Sequence, residues 1–121
     1  MKRILLCLMV ALFATGCLFA KNNDEKMNVM SYNIRYDNSG DKDNQWKFRR
    51  DFAADLVKFH EADVFGAQEV LNNQLNDLLD RLPEYAYVGV GREDGKTKGE
   101  YTPIFYRKDR FSVEKSGNFW L

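Results

Sequence analysis

Beyond residue 20 the chain has no cysteine, because both, Cys7 and Cys17, fall within the first twenty of its 121 residues. The remainder can form no disulfide and no thiolate metal site. Histidine is almost as scarce. The single His60 closes a stretch of helical spacing, where its partial charge suits the helix dipole. One histidine in that position supplies no credible base for a Ser-His-Asp or Cys-His arrangement. There is no charge of one sign either: 18 basic residues face 18 acidic ones. Composition therefore gives no support for electrostatically driven binding to nucleic acid or an anionic membrane. Internal repeats and low-complexity tracts are absent, and Gly89-Val90-Gly91 lacks the third glycine of a dinucleotide-binding turn. The length suits one domain.

The one long apolar run lies at the start. Lys2 and Arg3 precede Ile4 to Phe13, and the small residues Ala14, Thr15 and Gly16 follow. A short positive region, a greasy core and small residues are the layout of a secretory signal over residues 1–20, so export is expected. As a membrane anchor, the run from Ile4 to Ala20 is only marginally long enough. Ala14-Thr15-Gly16-Cys17 resembles a bacterial lipobox, which implies lipidation at Cys17 and membrane attachment through it. Cleavage after Ala20 is the alternative. Removing Lys2 and Arg3 from the 18 basic side chains leaves 16 against 18 acidic ones, a faintly acidic remainder.

Residues 21–26 (KNNDEK) read as a polar linker, and 27–121 as the folded part. From Met27 to Tyr36 the pattern alternates, with Met30, Tyr32, Ile34 and Tyr36 on one face of a predicted strand. Residues 37–45 form a turn-rich loop, with Asn44 available as a helix cap. Trp46, Phe52, Ala53, Leu56 and Val57 recur at helical spacing. Residues 62–70 (ADVFGAQEV) suit a strand buried on both sides. Leu71, Leu75, Leu78, Leu79 and Leu82 mark a second amphipathic helix that Pro83 stops. Further strands are expected over 85–90, 102–106, 111–115 and from 119 onward, with a charged loop at 91–99. The aromatic residues at 85, 87, 101, 105, 106 and 111 are spaced as strand core rather than as a base-stacking platform. The order predicts a mixed sheet with helices on one face.

Two polar residues sit where strand burial makes them costly without partners. Asn33 comes late in an apolar-flanked strand, and Glu69 closes a buried one. A carboxylate at the carboxyl end of a buried strand is placed to hold a hard cation such as Mg²⁺, which prefers oxygen ligands. The plainer alternative makes Asn33 a cap for the following loop and Glu69 the partner of an arginine. Spacing alone leaves both open.

Met30-Ser31-Tyr32-Asn33-Ile34-Arg35 resembles the first-strand motif of the endonuclease/exonuclease/phosphatase family. Trp46-Lys47-Phe48-Arg49-Arg50 is similar to the opening of that family's first helix, and residues 62–70 resemble its strand ending in Gln-Glu-Val. Residues 89–95 and 103–107 are similar to a secreted bacterial branch. The resemblance covers residues 27 to 121. It implies an α/β fold: part of a four-layer sandwich of two mixed β-sheets flanked by helices, with the carboxyl-terminal half missing. It also implies phosphoester hydrolysis with Mg²⁺ or Mn²⁺, with Glu69 as a metal ligand and Asn33 as a catalytic residue ordering the metal and phosphate site. The family's central Asp-x-Asn segment and late Asp-His pair have no counterpart before Leu121. The expectation is therefore a truncated domain, inactive alone. A non-catalytic surface binding module is the alternative. The substrate class stays open among nucleic acids, phospholipids, phosphoinositides and small phosphate esters, and no protein partner is implied.

Overall fold

The computed structural model describes residues 26–120. The signal-like segment with Cys17, most of the linker and Leu121 lie outside the described residues. No described helix is long and apolar enough to cross a membrane.

Four strands and two helices follow in the order β1 (Val29–Asn33), α1 (Trp46–Phe59), β2 (Val64–Gln68), α2 (Asn72–Arg81), β3 (Tyr85–Val88) and β4 (Ile104–Arg107). They build one mixed sheet in the order β1-β2-β4-β3. β1 and β2 are parallel, and α1 makes the crossover that parallel neighbours require. β4 runs antiparallel to both β2 and β3. This is the mixed sheet expected, and the described residues form one sheet of the expected sandwich.

The register puts Met30, Tyr32, Phe65, Ala67, Phe105 and Tyr87 on the face toward the helices. Phe65 and Phe105 stack there with centroids 4.5 Å apart, and Tyr85 meets Phe65 edge-on at 5.6 Å. From above, α1 presents Trp46, Ala53, Ala54 and Val57, and α2 presents Leu75 and Leu78, followed by Leu82. Burying each large side chain is worth about 1.5–3 kcal/mol. Two alanines at the centre of the α1 stripe keep the helix close to the sheet. Polar ties join the helices: the Trp46 indole donates to Asp77 Oδ2 at 2.8 Å, and Arg50 pairs with the same carboxylate at 3.3 Å.

Several expectations are corrected. Phe52 is exposed, and Ala54 takes the buried position, because the contact stripe is narrower than the spacing suggested. Gln45, not Asn44, is the residue before α1, and its side chain makes no cap. The loop before it contains a 3-10 turn, Ser39–Asn44, capped by Asn38, whose Oδ1 accepts from Gly40 N at 2.9 Å. β2 is buried on one face only. Val64, Gly66 and Gln68 remain half-buried, since no described element covers that side. No strand forms over 111–115 or 119–120. β4 has β2 on one edge and β3 on the other, so a hairpin partner following it has no edge to join.

Candidate functional site

Asn33 and Gln68 are paired in the parallel register, so the chain leaves β1 and β2 at the same end of the sheet. The carboxyl ends of parallel strands are where open α/β sheets hold ligands. Just beyond the strands, Arg35 (φ 61°) and Glu69 (φ 58°) both adopt left-handed backbone. Strand alternation would carry Glu69 to the face opposite Asn33. The left-handed step breaks the alternation, and the two side chains meet. Such a conformation costs a non-glycine residue roughly 1–2 kcal/mol and persists where the surroundings over-determine it.

Hydrogen bonds supply that determination. Asn33 Nδ2 donates to Glu69 Oε1 at 2.9 Å, and Tyr36 N donates to Glu69 Oε2 at 3.2 Å. Asn33 Oδ1 accepts from Arg35 N at 2.8 Å, which closes the turn after β1. The Asn33 amide, then the Tyr36 N–H, hold the Glu69 carboxyl below its ordinary value. Among the described residues Glu69 makes no salt bridge. Arg35 pairs instead with Asp41, through two bonds of 3.0 Å. Neutral donors thus make the direct contacts to the carboxylate, while the Arg35 charge acts on it only from a distance. That donor set fits a hard cation. Among the described residues no three His, Cys, Asp or Glu side chains converge, so waters would complete the sphere, as Mg²⁺ commonly accepts.

Asn33 caps its loop, and among the described residues no arginine forms a salt bridge with Glu69. The Trp46–Arg50 motif does structural work. Arg49 donates to the carbonyls of Ile34 at 2.7 Å, Arg35 at 3.3 Å, and Asn44, which fastens the chain leaving β1 to α1. His60 is exposed at the end of α1, edge-on to the Phe59 ring at 5.1 Å, and takes no part. Gln74 was not singled out from the sequence, although it is fully buried beside this loop. Its signal is the spacing Leu71-x-x-Gln74, the reciprocal half of a capping box, with Gln74 Oε1 accepting from Leu71 N at 3.1 Å.

The charged loop 91–99 leads into Tyr101, which bridges to Val70, the residue after Glu69. Tyr101 and Val70 exchange backbone bonds of 2.7 and 3.3 Å, and Asp94 Oδ1 folds the loop by accepting from Lys96 N and Lys98 N. Gly91 is needed there, because a Cβ would meet the Lys98 carbonyl oxygen at 2.3 Å. A polar depression of about 420 Å³ lies at the other end of the sheet. Three of its side chains are tied to one another or to neighbours: Asp63 accepts from Asn28 N at 2.8 Å and from Arg110, and Arg107 pairs with Asp109.

No family model matches the chain. Solved structures do. An endonuclease/exonuclease/phosphatase from Bacteroides vulgatus is 54% identical at a TM-score of 0.73, over 74% of this chain and 34% of its own. A family protein from Bacteroides thetaiotaomicron is 45% identical at 0.75, over 78% and 35%. A mannosyl-6-phosphatase from the same organism is 44% identical at 0.76, over 78% and 36%. An uncharacterized protein of Acanthamoeba polyphaga mimivirus is 26% identical over 85% of this chain and 18% of its own length. The chain thus spans about a third of the length of these solved structures.

Proposed function

The chain belongs to the endonuclease/exonuclease/phosphatase family, and from that premise we propose that it supplies the metal-holding corner of an exported phosphoester hydrolase. The observation that carries the reading is the Glu69 carboxylate, in no salt bridge among the described residues, fixed by Asn33 and the Tyr36 N–H where two parallel strands end.

Glu69 would hold the divalent cation, Mg²⁺ or Mn²⁺, and Asn33 would act in the site through its amide. Bound there, the cation would neutralise charge developing on the phosphate and orient the attacking water. The chain's own share is positioning. Asn33 keeps the carboxylate turned toward the strand ends, and its carbonyl holds the Arg35 peptide. Among the described residues, His60 lies at the far end of α1, and Asp37 and Asp41 are engaged by Asn73 and Arg35. The base is therefore assigned outside residues 26–120.

A phosphate monoester of a sugar is the substrate class we favour, since a mannosyl-6-phosphatase is 44% identical. Export, with lipidation at Cys17 preferred over cleavage after Ala20, is proposed on the sequence of residues 1–20 alone. Mass spectrometry of the mature amino terminus tests it, and an intact Met1 on cytosolic protein would overturn both routes.

The site is tested by Mn²⁺ titration of the protein followed by electron paramagnetic resonance, alongside phosphate release from mannose 6-phosphate. Glu69→Gln should weaken Mn²⁺ binding at least tenfold. Equal affinity in the two proteins would remove Glu69 from the site.

A further inference from the structure

The peptide that connects Arg35 to Tyr36 carries a hydrogen bond at each end. Its N–H, on Tyr36, donates to Glu69 Oε2 at 3.2 Å. Its C=O, on Arg35, accepts from Gln74 Nε2 at 2.9 Å. Because a trans peptide is planar, its N–H and C=O point in opposite directions, and fixing one fixes the other. Gln74 holds more of this loop as well. Its Oε1 accepts from Asp37 N at 3.0 Å, so one side-chain amide grips the backbone on both sides of Tyr36. The same oxygen accepts from Leu71 N, two residues beyond Glu69.

From this arrangement we infer that Gln74 is a positioning residue for the Glu69 carboxylate, acting through the Arg35–Tyr36 peptide. The inference rests on Glu69 being the metal-holding group.

Helix capping accounts for only part of what Gln74 does. A cap at the start of α2 needs the bond to Leu71 N alone, and a glutamate at that position would make it at least as well, with the helix dipole in its favour. The glutamine's second function is its N–H, which a carboxylate lacks. Leu75, the next residue, is equally buried and makes only apolar contacts in the core. Gln74 is also the one polar side chain of α2 that is fully buried. Three of its four hydrogen-bonding places are filled by backbone groups, two of them belonging to the loop that grips Glu69. Links in such a chain also polarise one another, so a donor on the Arg35 carbonyl makes the Tyr36 N–H a better donor to Glu69.

The test compares whole protein with three variants. Gln74→Glu keeps the cap and removes the shorter of the two donors to the Arg35 carbonyl, leaving Arg49 at 3.3 Å. Gln74→Met keeps the volume and removes all three bonds. Leu75→Ala serves as a control that lowers stability without touching the loop. Two quantities are read: exchange of the Tyr36 amide proton by nuclear magnetic resonance, and Mn²⁺ affinity by electron paramagnetic resonance. Loss of a group that orients a ligand typically weakens metal binding about 10–100-fold. Both Gln74 variants should fall in that range with faster Tyr36 exchange, while Leu75→Ala stays within about twofold of wild type in Mn²⁺ affinity, far below that range. Wild-type affinity and exchange in Gln74→Glu would overturn the inference and leave Glu69 in place. A weakening matched by Leu75→Ala would also overturn it, since stability alone would then explain the loss. Absence of Mn²⁺ binding in wild type would overturn the Glu69 reading and this inference together, and the two failures are told apart by that control.

Discussion

Asn33 and Glu69 stand 36 residues apart in sequence, yet a 2.9 Å hydrogen bond joins their side chains across the ends of two parallel strands. The amide spends both its functions there, donating to the carboxylate and accepting from the Arg35 N–H. Carboxamide beside carboxylate is also a charge arrangement, because it supports one negative charge without cancelling it.

Replacing the amide by a second carboxylate turns that support into repulsion. In Asn33→Asp two ionised groups would sit within hydrogen-bonding distance, and the cheapest response is for one to keep its proton. A folded-state value raised above the unfolded one gives stability at low pH that is lost as pH rises through the raised value. Metal-free Asn33→Asp should therefore melt lower as pH rises through the carboxylate range toward neutrality, and added Mn²⁺ should restore much of the loss. Melting curves across pH, with and without Mn²⁺, check this. Parallel behaviour of variant and wild type would mean that the two side chains are not held together in solution.

The strands and helices were legible because period two and period 3.6 are properties of neighbouring residues. Met30 and Tyr32, Phe65 and Ala67, and Leu75 and Leu78 announce their faces without help from the rest of the chain. The strands expected over 111–115 and from 119, absent through residue 120, carry the same apolar pattern. What excludes the first of them is that β4 has no free edge, a fact of sheet order that no local pattern contains. The site divides in the same way. Glu69 and Asn33 stood out as polar residues at costly positions. Gln74 did not, because its cost is met by backbone groups at Arg35 and Asp37, nearly forty residues away. The arginine nearest in the loop, Arg35, is taken by Asp41, a pairing that spacing does not reveal.

Glu69→Gln puts a carboxamide where both carboxylate oxygens face donors. A carboxamide can accept only one of the two bonds and turns an N–H₂ toward the other donor. Metal-free stability should therefore fall slightly rather than rise. The Glu69 carboxyl is held below its ordinary value, so its contribution is present above the unfolded-state value and is lost as pH falls through the folded-state one. The gap between wild type and variant should be widest near neutrality and close in acid. Thermal melts from neutral to acidic pH measure it. A variant more stable than wild type at neutral pH would mean that burial, not hydrogen bonding, governs Glu69.

Asp63 offers the structural counterpart at the opposite end of the sheet. It is 2% exposed and takes the Asn28 N–H at 2.8 Å and the Arg110 guanidinium. The Asn28 N–H is the main reason its carboxyl lies below the ordinary value, with Arg110 adding to it against the opposing effect of burial. Removing one partner of a buried pair leaves the other uncompensated, so Asp63→Asn should cost about 3 kcal/mol at neutral pH. The sign follows the depressed value: the contribution is complete above the unfolded-state value and disappears as pH falls through the folded-state value. The variant should thus approach wild type in acid. Mn²⁺ binding should not change, because Asp63 lies beyond the amino end of β2 and Glu69 beyond its carboxyl end. Urea titrations at several pH values would decide, and a loss that persists undiminished in acid would mean that packing rather than charge is at stake.

The face of the sheet away from the helices carries Val29, Val64, Ala86, Val88, Ile104 and Tyr106 in register. Val29 is 66% exposed and Ile104 49%, although their strand neighbours on the other face are core. The outer edges of β1 and β3 also carry no strand partner among the described residues. An apolar face with open edges is a surface for association. Residues 26–120 produced as a separate polypeptide should therefore bind a hydrophobic dye such as anilinonaphthalene sulfonate and sediment with a concentration-dependent mass. The double change Val29→Lys and Ile104→Lys should reduce both signals with little loss of stability, because neither side chain is buried in this segment. Phe105→Lys should unfold it, since Phe105 is fully buried against Phe65. Where a second layer of protein covers this face, the double change should instead destabilise by several kcal/mol, the sum of two buried side chains lost and two charges placed under cover. Dye fluorescence and sedimentation velocity over a range of concentrations make the comparison. A segment that stays monomeric, binds no dye and melts sharply and reversibly would show that one sheet and two helices suffice, and that the open face needs no cover to be stable.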